Sequence, residues 1–179
     1  MLKTKPGIFL VAILLFSTVL ITSCSSDDDS PSQNQDNIVL NVEKADGSLF
    51  VNGEIITFNQ LGSGNGRDDG KLKYFLKNVG NEDINVKIEV ADMRGTDGSL
   101  FTFCVQPICV FDVEIGDIYP PNGTLIAPNQ YNSQDDYFIN NDPGNATTTS
   151  IEYDLRFYVE DESGNQTNDI TITYKYMPN

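Results

Sequence analysis

The chain has no histidine and no tryptophan. Without an imidazole, every Ser–His, Cys–His and His–metal arrangement is excluded, since each needs that ring as base or ligand. Without indole, the aromatic platform best suited to stacking sugar rings is missing. Cysteine is scarce: Cys24, Cys104 and Cys109 are all there are. A structural zinc site, which takes about four nitrogen or sulfur ligands, is therefore out of reach. Positive charge is also scarce, with 11 Lys and Arg against 26 Asp and Glu and a net charge of −15. Such a balance argues against nucleic acid as a partner and against docking on anionic headgroups, because both require a basic footprint. The uncharged run from Ile8 to Ile21 is fourteen residues long, short of the roughly 20 that span a bilayer.

That run is instead the apolar region of a signal peptide, preceded by Lys3 and Lys5 on the cytoplasmic side. It ends in Ile21-Thr22-Ser23-Cys24, which resembles the lipobox of bacterial lipoproteins. The resemblance implies cleavage before Cys24, diacylglycerol on its sulfur and a lipid-held chain as the partner of a membrane. Two or three acyl chains anchor firmly, at about 0.8 kcal/mol per buried methylene. Without residues 1–23 the chain keeps 9 basic against 26 acidic residues, a net −17. Residues 24–37 then form a lipidated cysteine and an acidic tether, Ser25 to Asn37 lacking any apolar residue. A serine and three aspartates directly behind the cysteine resemble the surface-export signal of Bacteroidota lipoproteins. That likeness implies display on the outer face of the outer membrane.

From residue 38 to 179 the chain alternates with period 2, the signature of half-buried strands. Ile151, Tyr153, Leu155, Phe157 and Val159 share one face, with Glu152, Asp154 and Arg156 on the other. Ile170, Ile172, Tyr174 and Tyr176 repeat the pattern beyond Gly164-Asn165, which predicts a closing hairpin. Ile84 to Val90 and Leu72 to Leu76 alternate in the same way, and Asn52-Gly53 between apolar runs predicts a second hairpin. Tyr158 falls on the polar face of its strand, either exposed or covered by a neighbouring loop. The expectation is an all-β fold, a single antiparallel Ig-like or fibronectin-III-like β-sandwich of seven to nine strands, long enough to bury one core.

Beyond the inner membrane paired thiols oxidise, so Cys104 and Cys109 are expected to form a disulfide. Closing so small a ring contributes on the order of 2 kcal/mol, enough to fix a hairpin tip. Phe103-Cys104 with Cys109, then Pro120-Pro121, Leu125 to Pro128 and the final Ile-Thr-Ile-Thr-Tyr resemble an Ig-like module of secreted and surface proteins of Bacteroidota. The likeness covers roughly residues 70–177. It departs at Val105-Gln106, where that module carries tryptophan, and at Asn129, where it carries glycine. It implies fold and address and no common activity.

Candidate chemistry is thin. Gly62-Ser-Gly-Asn-Gly66 has the glycine spacing of a phosphate loop but no helix follows, so it reads as a plain loop. Asp68, Asp69, Asp135 and Asp136, with Asp92, Asp97 and Asn140 to Asp142, lie in expected loops where oxygen ligands for calcium converge if the loops do. Solvated acidic loops are the default. Tyr119, Tyr131, Tyr137 and Phe138 either close the ends of the core or form a sugar-binding cluster. No cofactor is expected, and no enzyme. A non-catalytic binding or adhesion module for an unknown protein or glycan is preferred. An accessory subunit of an envelope complex is the alternative, and a small hydrolase would need two close carboxylates in a pocket.

Overall fold

The computed structural model describes residues 38–62 and 69–178. The lipobox with Cys24, the acidic tether, residues 63–66 of the glycine-spaced stretch and Asp68 lie outside the described residues. Eleven strands follow one another: β1 Leu40–Glu43, β2 Glu54–Phe58, β3 Lys71–Lys73, β4 Phe75–Asn78, β5 Ile84–Arg94, β6 Phe101–Val105, β7 Ile108–Val110, β8 Ile118–Ile126, β9 Tyr137–Asn140, β10 Ile151–Glu160 and β11 Gln166–Tyr176.

One sheet has the order β2-β11-β10-β5-β8, another β3-β9-β6-β7, and β1 pairs with β4. The strand number exceeds the seven to nine expected because pieces are short. Tyr74 alone divides β3 from β4, and β7 has three residues. Pairing is antiparallel throughout except between β2 and β11.

The alternating residues dictate which face is buried. Ile84, Val86, Ile88 and Val90 of β5 and Ile151, Tyr153, Leu155 and Phe157 of β10 are all buried. They pack against Leu72, Tyr74, Phe101, Phe103 and Phe138 of the opposite layer. Phe101 stacks on Tyr153 at 3.8 Å between centroids, and Tyr74 meets Phe157 edge-on at 5.4 Å. The molecule is a β-sandwich with an aromatic core. Burial of so many tyrosines requires hydroxyl partners. Tyr74 donates to the Cys104 carbonyl at 2.8 Å, Tyr153 to Asn140 Oδ1 at 2.9 Å and Tyr174 to the Gly70 carbonyl.

The expected closing hairpin is present, running from Ile151 opposite Tyr176 to Glu160 opposite Gln166. Asp161 builds its turn by accepting the N–H groups of Ser163 and Asn165, with Gly164 at φ +82°. The hairpin expected around Asn52-Gly53 is a correction. The turn exists, but it docks on β11: Asn52 Oδ1 accepts the Thr171 N–H, and the Gly53 N–H donates to the Thr171 carbonyl. β2 is thereby laid parallel to Ile172–Tyr176, while Phe50 turns back to donate its N–H to Val42. An isolated ribbon would leave both apolar runs half wet. In the observed pairing Phe50 is buried and Phe58 stacks on Tyr174 at 4.7 Å.

Tyr158 is fully buried although its strand position points outward. The Arg156 guanidinium lies 4.6 Å from its ring centroid, and its sheet partner Lys87 is ion-paired with Glu160.

Candidate functional site

The two sheets part along one side of the sandwich. β2 is the last strand of the five-stranded sheet and β3 the last of the four-stranded one. Between them runs a groove of about 440 Å³. Ile56 and Phe58 line it from β2, Leu72 lines it from β3, and Phe50 lines it from the segment between β1 and β2. These positions follow from the pleat. In β2 Glu54, Ile56 and Phe58 stand opposite Ile172, Tyr174 and Tyr176, whose side chains enter the core, while Ile55 faces out. Lys44, Asp46, Glu54, Lys71 and Lys73 line the same groove and give it a charged rim.

The rim is notable for its lysines. Among the described residues there are eight basic side chains, and they divide into two sets. Lys87, Arg94, Arg156 and Lys175 lie on the outer face of the five-stranded sheet and are all held in ion pairs. Lys87 meets Glu160, Arg94 meets Asp92, Glu152 and Asp154, Arg156 meets Glu89 and Asp169, and Lys175 meets Glu152. The other four, Lys44, Lys71, Lys73 and Lys77, are set around the groove and along β3 and β4. Three of them sit over aromatic rings: Lys44 over Phe50 at 5.3 Å, Lys71 over Tyr137 at 4.1 Å and Lys77 over Tyr131 at 5.0 Å. Lys73 and Lys77 have no carboxylate partner among the described residues.

Two carboxylates line the groove, and neither is suited to acid catalysis. The Lys44 ammonium, 2.6 Å from Glu54, holds that carboxyl below its ordinary range, and the Val51 N–H at 3.0 Å adds to the effect. The Ser48 hydroxyl and N–H hold Asp46 low in the same way. A glycosidase acid needs the opposite shift, upward towards neutrality. The groove therefore offers apolar contact within a rim of three lysines and two carboxylates, Lys44 being paired with Glu54.

The other expected site residues are scattered. Cys104 and Cys109 face each other across β6 and β7 and are joined, with 4.1 Å between Cα atoms. Asp69 is exposed in the turn before β3. Asp135 is exposed, whereas Asp136 is wholly buried. The Asp136 carboxylate accepts the Gln106 N–H at 2.8 Å and the Asn132 amide at 2.9 Å, and burial pushes its pKa up. Its position is thus structural, tying the β6–β7 tip to the loop before β9. Asp92 pairs with Arg94, Asp97 caps Ser99, and Asp142 accepts the Thr96 hydroxyl and the Gly144 N–H. No three acidic or cysteine side chains gather into a cation cradle among the described residues.

Of the loop aromatics, Phe138 is core and Tyr119 packs on Phe103 with its hydroxyl bonded to Asp117. Tyr137 lies under Lys71. Tyr131, edge-on to Phe75 and bonded to Glu43, lines a shallower hollow that shares Lys44 and Ala45 with the groove. Sequence reasoning missed the groove because four separate segments build it. The available signal was the concentration of Lys71, Lys73 and Lys77 on one strand run of an acidic chain.

No protein-family model matches the chain, and neither does any curated protein. Among solved structures it is similar to the N-terminal domain of PorA, with 13% identity over 76% of this chain and 96% of that one and a TM-score of 0.42. It is also similar to the CooA pilin subunit from enterotoxigenic Escherichia coli, with 14% identity over 79% and 99% and a TM-score of 0.40. A likeness of that depth speaks neither to activity nor to partners.

Proposed function

We propose that this chain is a lipid-anchored, non-catalytic binding module of the bacterial cell envelope, an Ig-like sandwich carried at the outer surface on an acidic leash. The observation that carries the binding reading is the apolar groove between β2 and β3 with lysines on its rim. Apolar walls with a few placed charges are how recognition sites are built. The anchoring reading is supported by Ile21 to Cys24, and the outward address by Ser25 to Asp29. The alternative role, an accessory subunit of an envelope complex, draws on Val51 and Ile55, which stand 66% and 60% exposed beside the groove.

Anchoring is tested by feeding cells an alkyne-tagged fatty acid and recovering the protein. Wild type is expected to carry the tag and Cys24→Ala to lack it. A tagged Cys24→Ala protein, or an untagged wild type in cells whose other lipoproteins are tagged, would contradict the reading.

A further inference from the structure

We propose that β2 accepts a strand from a partner polypeptide, an extended segment alternating apolar and acidic residues, which lies along the groove between β2 and β3. The proposal rests on the reading of the chain as a binding module and supplies the chemistry of its partner.

The outer strands of a sheet present unpaired backbone groups, and proteins ordinarily blunt them with prolines, lysines, bulges, brevity or a covering segment. Every other border strand here has such a device, β4 being covered by residues 130–132 through Asn78 to Gln130, Asn132 to Leu76 and the Lys77–Tyr131 bridge. β8 contains Pro120 and Pro121, β7 is three residues long, and β3 is three residues long with two lysines. β1 is covered by the returning chain, where Leu49 bridges Glu43 and Phe50 donates to Val42. β2 has only Glu54 at its start, whose N–H is bonded to the Val51 carbonyl. It reads Glu-Ile-Ile-Thr-Phe, keeps an unbroken register with β11 and, among the described residues, has no strand paired to its far edge. Ile55 on its outer face and Val51 just before it are both largely exposed. A bare, β-branched edge is the template on which strand addition occurs.

The groove supplies the second half of the site. A strand paired to β2 would lie about 4.8 Å beyond it, over the opening towards β3. Alternate side chains would then enter beside Ile56, Phe58 and Leu72, and the intervening ones would meet the rim. There the charge decides the occupant. Lys44, Lys71 and Lys73 border the groove with Asp46 and Glu54; Lys44 is paired with Glu54, whereas Lys73 has no carboxylate partner among the described residues and supplies the unbalanced positive charge. That rim favours acidic residues at the outward positions of the incoming strand. It disfavours a second copy of the chain, which would bring like net charge to the contact and set lysines of one rim against those of the other.

The test uses the full-length protein in detergent and two capped ten-residue peptides, one alternating valine with glutamate and one valine with lysine. Amide hydrogen exchange reads the backbone directly. The valine–glutamate peptide is expected to slow exchange across Glu54–Phe58, with an affinity that falls as salt rises. Lys73→Glu, which breaks no ion pair, is expected to weaken that peptide about two- to five-fold and to favour the lysine peptide. Unchanged exchange in β2 at the highest peptide concentration would overturn the proposal, as would equal binding of both peptides. Protection of β2 that rises with protein concentration alone would replace the partner strand with a second copy. Fatty-acid tagging of Cys24 does not involve β2, so failure of the strand site and failure of the anchoring reading give separate results.

Discussion

Asp136 is the most exacting place to perturb the fold. It is a buried carboxylate that accepts the Gln106 N–H at 2.8 Å and the Asn132 amide at 2.9 Å, with the Ser133 side chain also bonded to it. Asp136→Ala deletes both acceptors, leaving the Gln106 N–H without a partner and the Asn132 amide with only its 3.5 Å contact to the Gln106 carbonyl. Each buried unsatisfied group costs about 1–3 kcal/mol, so a loss of about 2–4 kcal/mol is expected for the pair in urea unfolding at pH 7. Asp136→Asn keeps the volume and the acceptor for Gln106 but turns an NH2 towards the Asn132 amide, so a smaller cost of about 1–2 kcal/mol is expected.

The pH dependence separates charge from shape. Burial, the main cause, raises the folded-state pKa of Asp136 above its ordinary 3.8. The folded protein therefore holds this proton more tightly than the unfolded chain, and the associated stability is full below 3.8 and declines as pH rises through the folded pKa. Asp136→Asn lacks that decline, so its stability relative to wild type should improve from pH 4 towards neutrality and then level off. An alanine variant within about 0.5 kcal/mol of wild type would refute the reasoning, as would a relative stability running the other way with pH.

Other perturbations follow from the same contacts. Tyr158 is fully buried with no hydrogen-bond partner for its hydroxyl among the described residues; Tyr158→Phe should be as stable as wild type or up to about 2 kcal/mol more so, and a loss above about 1 kcal/mol would reveal a hidden partner. Phe101, fully buried and stacked on Tyr153, should cost about 3–5 kcal/mol when cut to alanine, read as a fall in the denaturation midpoint at constant slope. The disulfide closes a loop of sequence separation 5, so reducing it should lower stability by about 2 kcal/mol without abolishing the near-ultraviolet signature of the packed core.

The strand faces were legible because period-2 alternation depends only on neighbouring residues. Ile151 to Val159 and Ile170 to Tyr176 declared both their faces and their hairpin, since Asp161 to Asn165 is a local turn. The partner of β2 was not legible. Asn52-Gly53 signalled a turn, yet the strand after it pairs with residues more than a hundred positions away, and parallel pairing leaves no local mark. Tyr158 looked polar-facing by position, and only the Arg156 guanidinium above it and Lys87 beside it on β5 show how the site is covered. The burial of Asp136 was not legible for a related reason: Asp135 and Asp136 are adjacent in sequence, but one is exposed as a solvated loop residue and the other is buried against Gln106. The groove, assembled from Phe50, β2, Leu72 and the lysines, exists only once both sheets are in place.

The central claim, a lipid-held binding module displayed at the cell surface, is tested most directly by protease shaving of intact cells, following a C-terminal tag beside a periplasmic control. Loss of the tag while the control survives is the predicted result, and it would direct the search for the partner strand to proteins outside the cell. Protection of the tag until the outer membrane is opened would contradict the outward display read from Ser25 to Asp29.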